Sequence, residues 1–448
     1  MINFALYGVL VACFLLTAFA GRPALLYGAA LLMPLGQVLP SPLGMPSAPV
    51  NLMLIGFVLW GWSQKGPGLA ASTSLPLRGA IAMMVATLAL GVAVRGAGEL
   101  FGTSYLLPFD EVLRSSWYRV TPFVIYLLTF RRTPDEEAAW RMVVCCQLSI
   151  ATEGAITIYE IASGVGRATA HIEEANRAGA YFAAASGLFL AWTLASSGRR
   201  RWIYMLAWIV CSFGVFNSLS RGGLLAMAVS CTVVIAVFIV RQRGRMATKV
   251  FVVVFAVLVV SNAALFLPKR VVDRVMFTFE GEGRDQTGTS TLDDSAGQRL
   301  VFWNTAWNLF KARPWGYGSQ TFPQYLYEAV GIAKQAHNIY LEILVEYGAQ
   351  GFLALIVLVV GIWAWLARLF GGLEDGRWKT HALGLLGWWT GHATAHLFVN
   401  PFFNVQITGQ FWMMLAALAA VQAARRSRRR EAEAAPHGST ARIRTGVR

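Results

Sequence analysis

The sequence predicts an all-α polytopic membrane protein of about twelve transmembrane helices with one large external loop domain. Three observations predict it. The 448 residues are 56% hydrophobic and only 14% charged, whereas a soluble domain carries about 25% charged residues. The apolar residues fall into runs, and a run of about 20 is long enough to cross a bilayer. The arginines cluster at run ends, at Arg199–Arg201, at Arg241, Arg243 and Arg245, and at Arg425, Arg426, Arg428, Arg429 and Arg430. Short basic clusters flanking apolar spans mark the cytoplasmic side. The net charge of +15 therefore reads as topology, and no nucleic-acid partner is expected.

Taken in order, the apolar runs cover 3–20, 23–39, 49–63, 78–95, 117–130, 138–162, 178–196, 202–219, 221–241, 249–267, 347–370, 380–399 and 406–424. The first lacks a small-residue cleavage site and reads as a retained span. The arginine clusters place 268–346 on the external face and the carboxy terminus inside. Thirteen full crossings would leave the amino terminus outside and twelve leave it inside. The run 23–39, interrupted by Pro34, is the one read as re-entrant or partial. Residues 1–267 then form a helix bundle, 268–346 an external loop domain, 347–424 the last three helices, and 425–448 a basic tail expected to be disordered.

Two polar stretches interrupt the runs. The first, Arg95 to Arg119, carries Glu99, Asp110, Glu111 and Arg114 and is expected outside. In the second, Glu280–Gly297 is rich in Gly, Ser, Thr and Asp and reads as flexible. Arg299–Ala312 reads as an amphipathic helix, because Phe302, Trp303, Ala306, Trp307 and Phe310 share one face; it could lie on the bilayer surface as a lid. Pro314-Trp-Gly-Tyr-Gly is a turn-rich break. The cysteines (Cys13, Cys145, Cys146, Cys211, Cys231) lie in apolar runs without ligand-like spacing, so neither disulfides nor zinc are indicated.

Four polar breaks face the same external side. GRATAHIEEANRAG holds Arg167, Asn176 and Arg177. NSLSRGG holds Asn217, Ser220 and Arg221, with Gly222 and Gly223 exposing backbone N–H groups at a helix start, where an anion is favoured. The large loop holds Arg299 and ends in QAHNIYLEILVEYGAQG, with His337 and Asn338 at the mouth of a span and Glu342 and Glu346 one turn apart on one face. NPFFNVQ holds Asn400, Pro401 and Asn404. Several arginines, a histidine and a membrane suit a lipid diphosphate. Arginine stabilises the leaving oxygens by bidentate hydrogen bonds without a metal. Histidine has the affinity for protons that a base for an acceptor hydroxyl needs. The metal-dependent alternative would use Asp293-Asp294, which are adjacent rather than spaced. His392 and His396 would fit a metal face, but no third ligand accompanies them, and core hydrogen bonding is the expected role. Glu342 and Glu346 are expected to orient neighbours or pair with arginine.

The loop ending in HNIYLEILVEYGAQG, the NSLSRGG turn and the Asn176-Arg177 pair resemble the O-antigen ligase and polymerase superfamily over roughly residues 150–425. The resemblance implies a bacterial inner-membrane glycosyltransferase of the GT-C class with its active site facing the periplasm. It implies an undecaprenyl-diphosphate-linked O-antigen donor, a lipid A–core oligosaccharide acceptor and membrane lipids as partners, with no metal and no cofactor. His337 would be the base, and Arg221 and Arg299 would hold the diphosphate. Arg177, Asn176, Arg167, Asn338, Glu342, Ser220 and Asn400 would bind substrate, although Ala175 replaces the family's acidic residue before the Asn. A polymerase and a protein O-oligosaccharyltransferase are alternatives with the same donor. A lipid-linked glycan transporter is the alternative of another class, and it would need an internal repeat and mid-membrane charges that the sequence lacks.

Overall fold

The computed structural model describes residues 24–33, 68–70, 73–172, 174–241, 294–374, 376–400 and 402–434. The helices among them are α1 (Ala24–Leu32), α2 (Arg78–Leu100), α3 (Phe109–Arg132), α4 (Glu136–Ala162), α5 (Ala175–Ala195), α6 (Gly198–Ser218), α7 (Arg221–Arg241), α8 (Asp294–Ala312), α9 (Phe322–Val330), α10 (Ile339–Gly372), α11 (Arg377–Ala395) and α12 (Val405–Ala434). No strand occurs among the described residues. Six of these helices, α2, α4, α5, α7, α10 and α12, are long and apolar enough to cross a membrane, so the chain is a helical membrane protein. Helices α3, α6 and α11 also fall on expected runs, but charged residues within or at the start of each lower their mean hydropathy. The runs 3–20, 49–63 and 249–267, the stretch 268–293, Cys13 and Pro401 lie outside the described residues.

The helices share a polarity that the sequence anticipates. Their basic ends, Arg131 and Arg132 of α3, Arg199–Arg201 of α6, Arg377 of α11 and Arg425 of α12, are the ends away from Arg221, His337 and Asn400. At the basic end the Glu136 carboxylate accepts Arg425 Nη2 at 2.7 Å and Trp378 Nε1 at 2.7 Å, joining α4, α11 and α12. Asp135 caps α4 by accepting the Ala138 N–H at 2.7 Å.

The core is built around α5, buried almost throughout its length and packed by α6, α7 and α11. Helices in lipid associate through close van der Waals packing of small residues rather than a hydrophobic driving force. Accordingly, a Cβ on Gly223 of α7 would stand 3.0 Å from the Gly179 backbone of α5. Ser230 Oγ of α7 donates to the Gly387 carbonyl of α11 at 2.8 Å. Tyr181 donates to Gln410 at 2.6 Å, and Gln410 to the Ala30 carbonyl at 2.9 Å, which ties α5, α12 and α1 together.

Three elements depart from expectation. The Arg95–Arg119 stretch is helical except for residues 101–108, and Arg95 and Arg119 are buried at 1% and 6% exposure. Helix α12 continues to Ala434 rather than unravelling after Arg425. Its basic tail is arranged one helical turn apart from acids, with Arg429 Nε 2.8 Å from Glu433 and Ser427 Oγ 3.0 Å from Glu431, pairings that support a helix. Helix α10 is broken at Gly348, whose φ of 70° and ψ of −169° lie in a region essentially confined to glycine.

The break separates a head, 339–347, from the long apolar body that follows. The broken helix leaves backbone groups that must find partners, and the Pro314–Gly318 turn supplies them. Tyr317 N–H donates to Val345 O at 3.0 Å, Gly318 N–H to Glu346 O at 2.8 Å, and Ala349 N–H to Pro314 O at 2.9 Å. Around the head, α8 and α9 close a second small core of Phe302, Ala306, Phe322, Leu326, Ala336 and Val345. The apolar face of α8 is thus applied to protein at Phe302 and Ala306, while Trp307 turns outward, half exposed. Helix α9, ended by Gly331 at φ 73°, was not anticipated.

Replacing Gly348 by alanine should destabilise the purified protein by about 1–3 kcal/mol, because a Cβ would also stand 2.5 Å from the Pro314 carbonyl oxygen. Gly372→Ala, with nothing within 4 Å of the added atom, should leave the thermal midpoint in detergent unchanged. Equal midpoints for the two variants would mean that the break does not require glycine.

Candidate active site

The site begins at the connection between α6 and α7. Helix α6 ends at Ser218, Leu219 adopts φ 52°, and Ser220 caps α7 by accepting the Gly223 N–H at 3.2 Å. Arg221 therefore starts α7 directly after a single left-handed residue and a cap. Gly222 is required by Phe398, since a Cβ there would lie 2.8 Å from the Phe398 Cβ. Arg167 folds its loop onto this turn, with Nε donating to the Ser218 carbonyl at 3.0 Å and Nη2 to Asn176 Oδ1 at 3.1 Å.

That loop is held from below by two carboxylates of α4. Glu153 pairs with His171 Nδ1 at 3.0 Å, and Glu160 accepts the Thr169 and Ala170 N–H groups, each at 2.9 Å. The Glu153 hydrogen bond raises the His171 pKa above the ordinary histidine value.

Together these pieces line a pocket of about 150 Å³ formed by Arg167, Asn176, Leu219, Ser220, Arg221, Gly222, Arg299 and Phe398. Three guanidinium groups from three separate parts of the chain converge there, at the amino terminus of α7. Such a concentration of fixed positive charge suits a polyanion, and the planar guanidinium suits phosphate oxygens.

His337 does not line this pocket but stands beside it. Its backbone is held at φ 51° by its neighbours. Trp303 Nε1 donates to the Ala336 carbonyl at 3.2 Å, and Ile339 N–H to the His396 carbonyl at 3.1 Å. Trp303 lies one turn after Arg299 on α8, so the same helix that pins residue 336 brings Arg299 to both the pocket and the imidazole. Burial, and then the Arg299 guanidinium, hold the His337 pKa below the ordinary histidine value, with Lys334 and Arg177 acting in the same direction and Glu174 opposing them. The imidazole is therefore neutral at pH 7 and able to take a proton.

The remaining expected residues are placed otherwise. Asn338 is the cap of α10, its Oδ1 accepting from Tyr340 N at 3.0 Å and Leu341 N at 3.2 Å. Arg177 pairs with Glu174 at 2.8 Å and donates to the Asn400 carbonyl at 3.3 Å. The Asn400 side chain donates to Glu342, and Glu342 and Glu346 are both buried against Arg119. Arg119 is the residue that the sequence reading placed on an external loop and did not include in the site. No local signal marks it, because its carboxylate partners lie more than two hundred residues away in the sequence.

His392 and His396 turn ring nitrogens to backbone carbonyls, at 3.2 Å from Phe402 O and 2.7 Å from His392 O. Among the described residues no group of three His, Cys, Asp or Glu side chains could hold a metal; Asp293 lies outside them.

Residues 205–356 match a family described as O-antigen ligase, which supports the resemblance read from the sequence over about a third of the chain. The matched segment contains Arg221, Arg299 and His337. A comparison with curated proteins finds no significant match.

If Arg299 sets the protonation of His337, Arg299→Gln should move the imidazole midpoint upward toward the ordinary histidine value. Nitrogen-15 NMR titration of the labelled protein in detergent reads this directly, and an unchanged or lower midpoint would remove Arg299 from the histidine's surroundings.

Proposed function

Taking the O-antigen ligase family match as premise, we propose that the chain is a glycosyltransferase that moves O-antigen polysaccharide from undecaprenyl diphosphate to lipid A–core oligosaccharide. The observation that carries this reading is the convergence of Arg167, Arg221 and Arg299 on one pocket beside a neutral, half-buried His337. The bacterial inner membrane, a GT-C-like arrangement and a periplasmic site belong to the same proposal. The support for the side is that the pocket lies at the helix ends opposite the basic clusters, which mark the cytoplasm.

In the proposed mechanism the donor's diphosphate docks on Arg221 and Arg299, with Arg167 held ready by Ser218 and Asn176 and Arg177 nearby. The prenyl tail stays among the helices. His337 takes the proton of an acceptor hydroxyl as its oxygen bonds to the anomeric carbon, and the bond from that carbon to the diphosphate oxygen breaks. The leaving group departs with the electron pair, and its new charge is met by fixed guanidinium groups that need no reorganisation. Direct displacement inverts the anomeric configuration. No step calls on a metal ion.

The test is incubation of the purified protein with undecaprenyl-diphosphate glycan and each candidate acceptor, with the product identified by mass. A glycan joined to lipid A–core supports the ligase reading, and a lengthened lipid-linked glycan indicates a polymerase instead. His337→Ala should lower the rate by about a hundredfold or more, the usual contribution of a general base. Arg221→Lys should also slow turnover, since an ammonium lacks the bidentate fork, and transfer should persist in EDTA. Full activity in His337→Ala would eliminate the base assignment, and loss of activity in EDTA the metal-independent one.

A further inference from the structure

We propose that Arg119 and Glu342 are positioning residues, which set the placement of Arg177 beside His337 through a chain of hydrogen bonds, buried up to Asn400, without touching the pocket. The inference rests on the transfer reading above. The chain begins in α3, where Arg119 Nη2 donates to Glu342 Oε1 at 2.9 Å. Its Nη1 donates to Glu346 at 3.0 Å and to the Tyr347 hydroxyl at 2.8 Å. The second oxygen of Glu342 accepts from Asn400 Nδ2, and the Asn400 carbonyl accepts from Arg177 Nε at 3.3 Å.

Two features argue against a mere staple between helices. Two carboxylates share one guanidinium, all three nearly inaccessible, whereas apolar residues of similar volume would often have been as stable or more so. In some proteins buried ionic groups are kept because they fix a register, and that is the role inferred for this cluster. Furthermore, the chain leads to one place. It crosses from α3 through the head of α10 and the α11–α12 connection to the start of α5, and Arg177 there is one of the charged groups acting on His337, together with Arg299 of α8, Lys334 of the preceding loop and Glu174.

Two variants open the chain at different links. In Glu342→Gln the amide offers one acceptor oxygen, and its NH2 opposes the N–H of either Arg119 or Asn400. Asn400→Ala removes the side-chain link to Glu342 while keeping the backbone carbonyl that Arg177 meets and the Arg119 ion pairs, so the fold is not left with a stranded charge.

With undecaprenyl-diphosphate glycan and lipid A–core as substrates, both variants should lose about tenfold or more in kcat/KM, since small misplacements of a binding group are costly. Both should also shift the acid limb of the pH–rate profile to higher pH, because a residue-400 carbonyl no longer anchored through Glu342 lets Arg177 move away from the imidazole and weakens a charge that disfavours the imidazolium. Hydrogen exchange should quicken over residues 335–340 and 396–400, a readout that does not depend on turnover. If both variants keep the wild-type acid limb and the wild-type exchange at those segments, whatever happens to the thermal midpoint, the chain is only structural and the inference fails. If wild-type protein transfers to no acceptor, the transfer reading fails instead, and exchange alone still decides whether the chain positions these segments.

Discussion

Charge buried at one end of an apolar bundle must be neutralised from within, and the structure around the site follows from that constraint. A buried ionised group without partners costs several kcal/mol. Three arginines are accordingly met by a helix end or a carboxylate: Arg167 by the Ser218 carbonyl at the end of α6, Arg177 by Glu174 and the Asn400 carbonyl, and Arg119 by Glu342 and Glu346. Helix termini are the places in a bundle where backbone carbonyls and N–H groups are free to accept such work. The site is therefore made of connections, and the tight glycine and serine packing of α5, α7 and α11 brings those connections close together.

The break in α10 is a consequence of the same constraint. The exposed stripe of the body runs through Leu353, Val357 and Val360. In a straight helix Glu346 would precede Leu353 by two turns and would share that exposed face. It is instead 1% exposed, and Glu342 2%. The glycine-only conformation at residue 348 rotates the head so that its acidic face meets Arg119, and the 314–318 turn satisfies the backbone groups released on the way.

Much of this was legible in the sequence. The NSLSRGG turn signals two helices meeting with almost no loop between them, and the arginines at the basic ends of α3, α6, α7, α11 and α12 lie at one end of the bundle. The recurrence of Phe302 and Ala306 marks the packed face of α8. What was not legible involves pairing at long range. Arg119 lies more than two hundred residues from its carboxylates, so local composition assigns it to water. Gly348 looks like any glycine in an apolar run, because its φ and ψ are imposed by a turn that precedes it in the chain by thirty residues. Asn338 reads as a polar group at a site, whereas its side-chain oxygen is spent on capping α10, the commoner employment of such residues at helix starts.

The division of labour between acids and bases at this end of the bundle also follows. The nearby carboxylates of Glu342 and Glu346 are occupied by Arg119 and that of Glu174 by Arg177, so they are poorly placed to take a proton from a sugar hydroxyl. In the proposed transfer the imidazole of His337 is left as the proton acceptor, and the charges around it would serve two ends. Burial first, then Arg299 with smaller help from Lys334 and Arg177, favours its neutral form, the form able to take a proton. In the proposed transfer the same positive field would stabilise the departing diphosphate. An anion arriving on Arg299 would weaken the field felt by His337 and so raise its affinity for a proton. On that argument the base would become stronger when the donor is bound, which ties deprotonation of the acceptor to the presence of the bond that is to be broken.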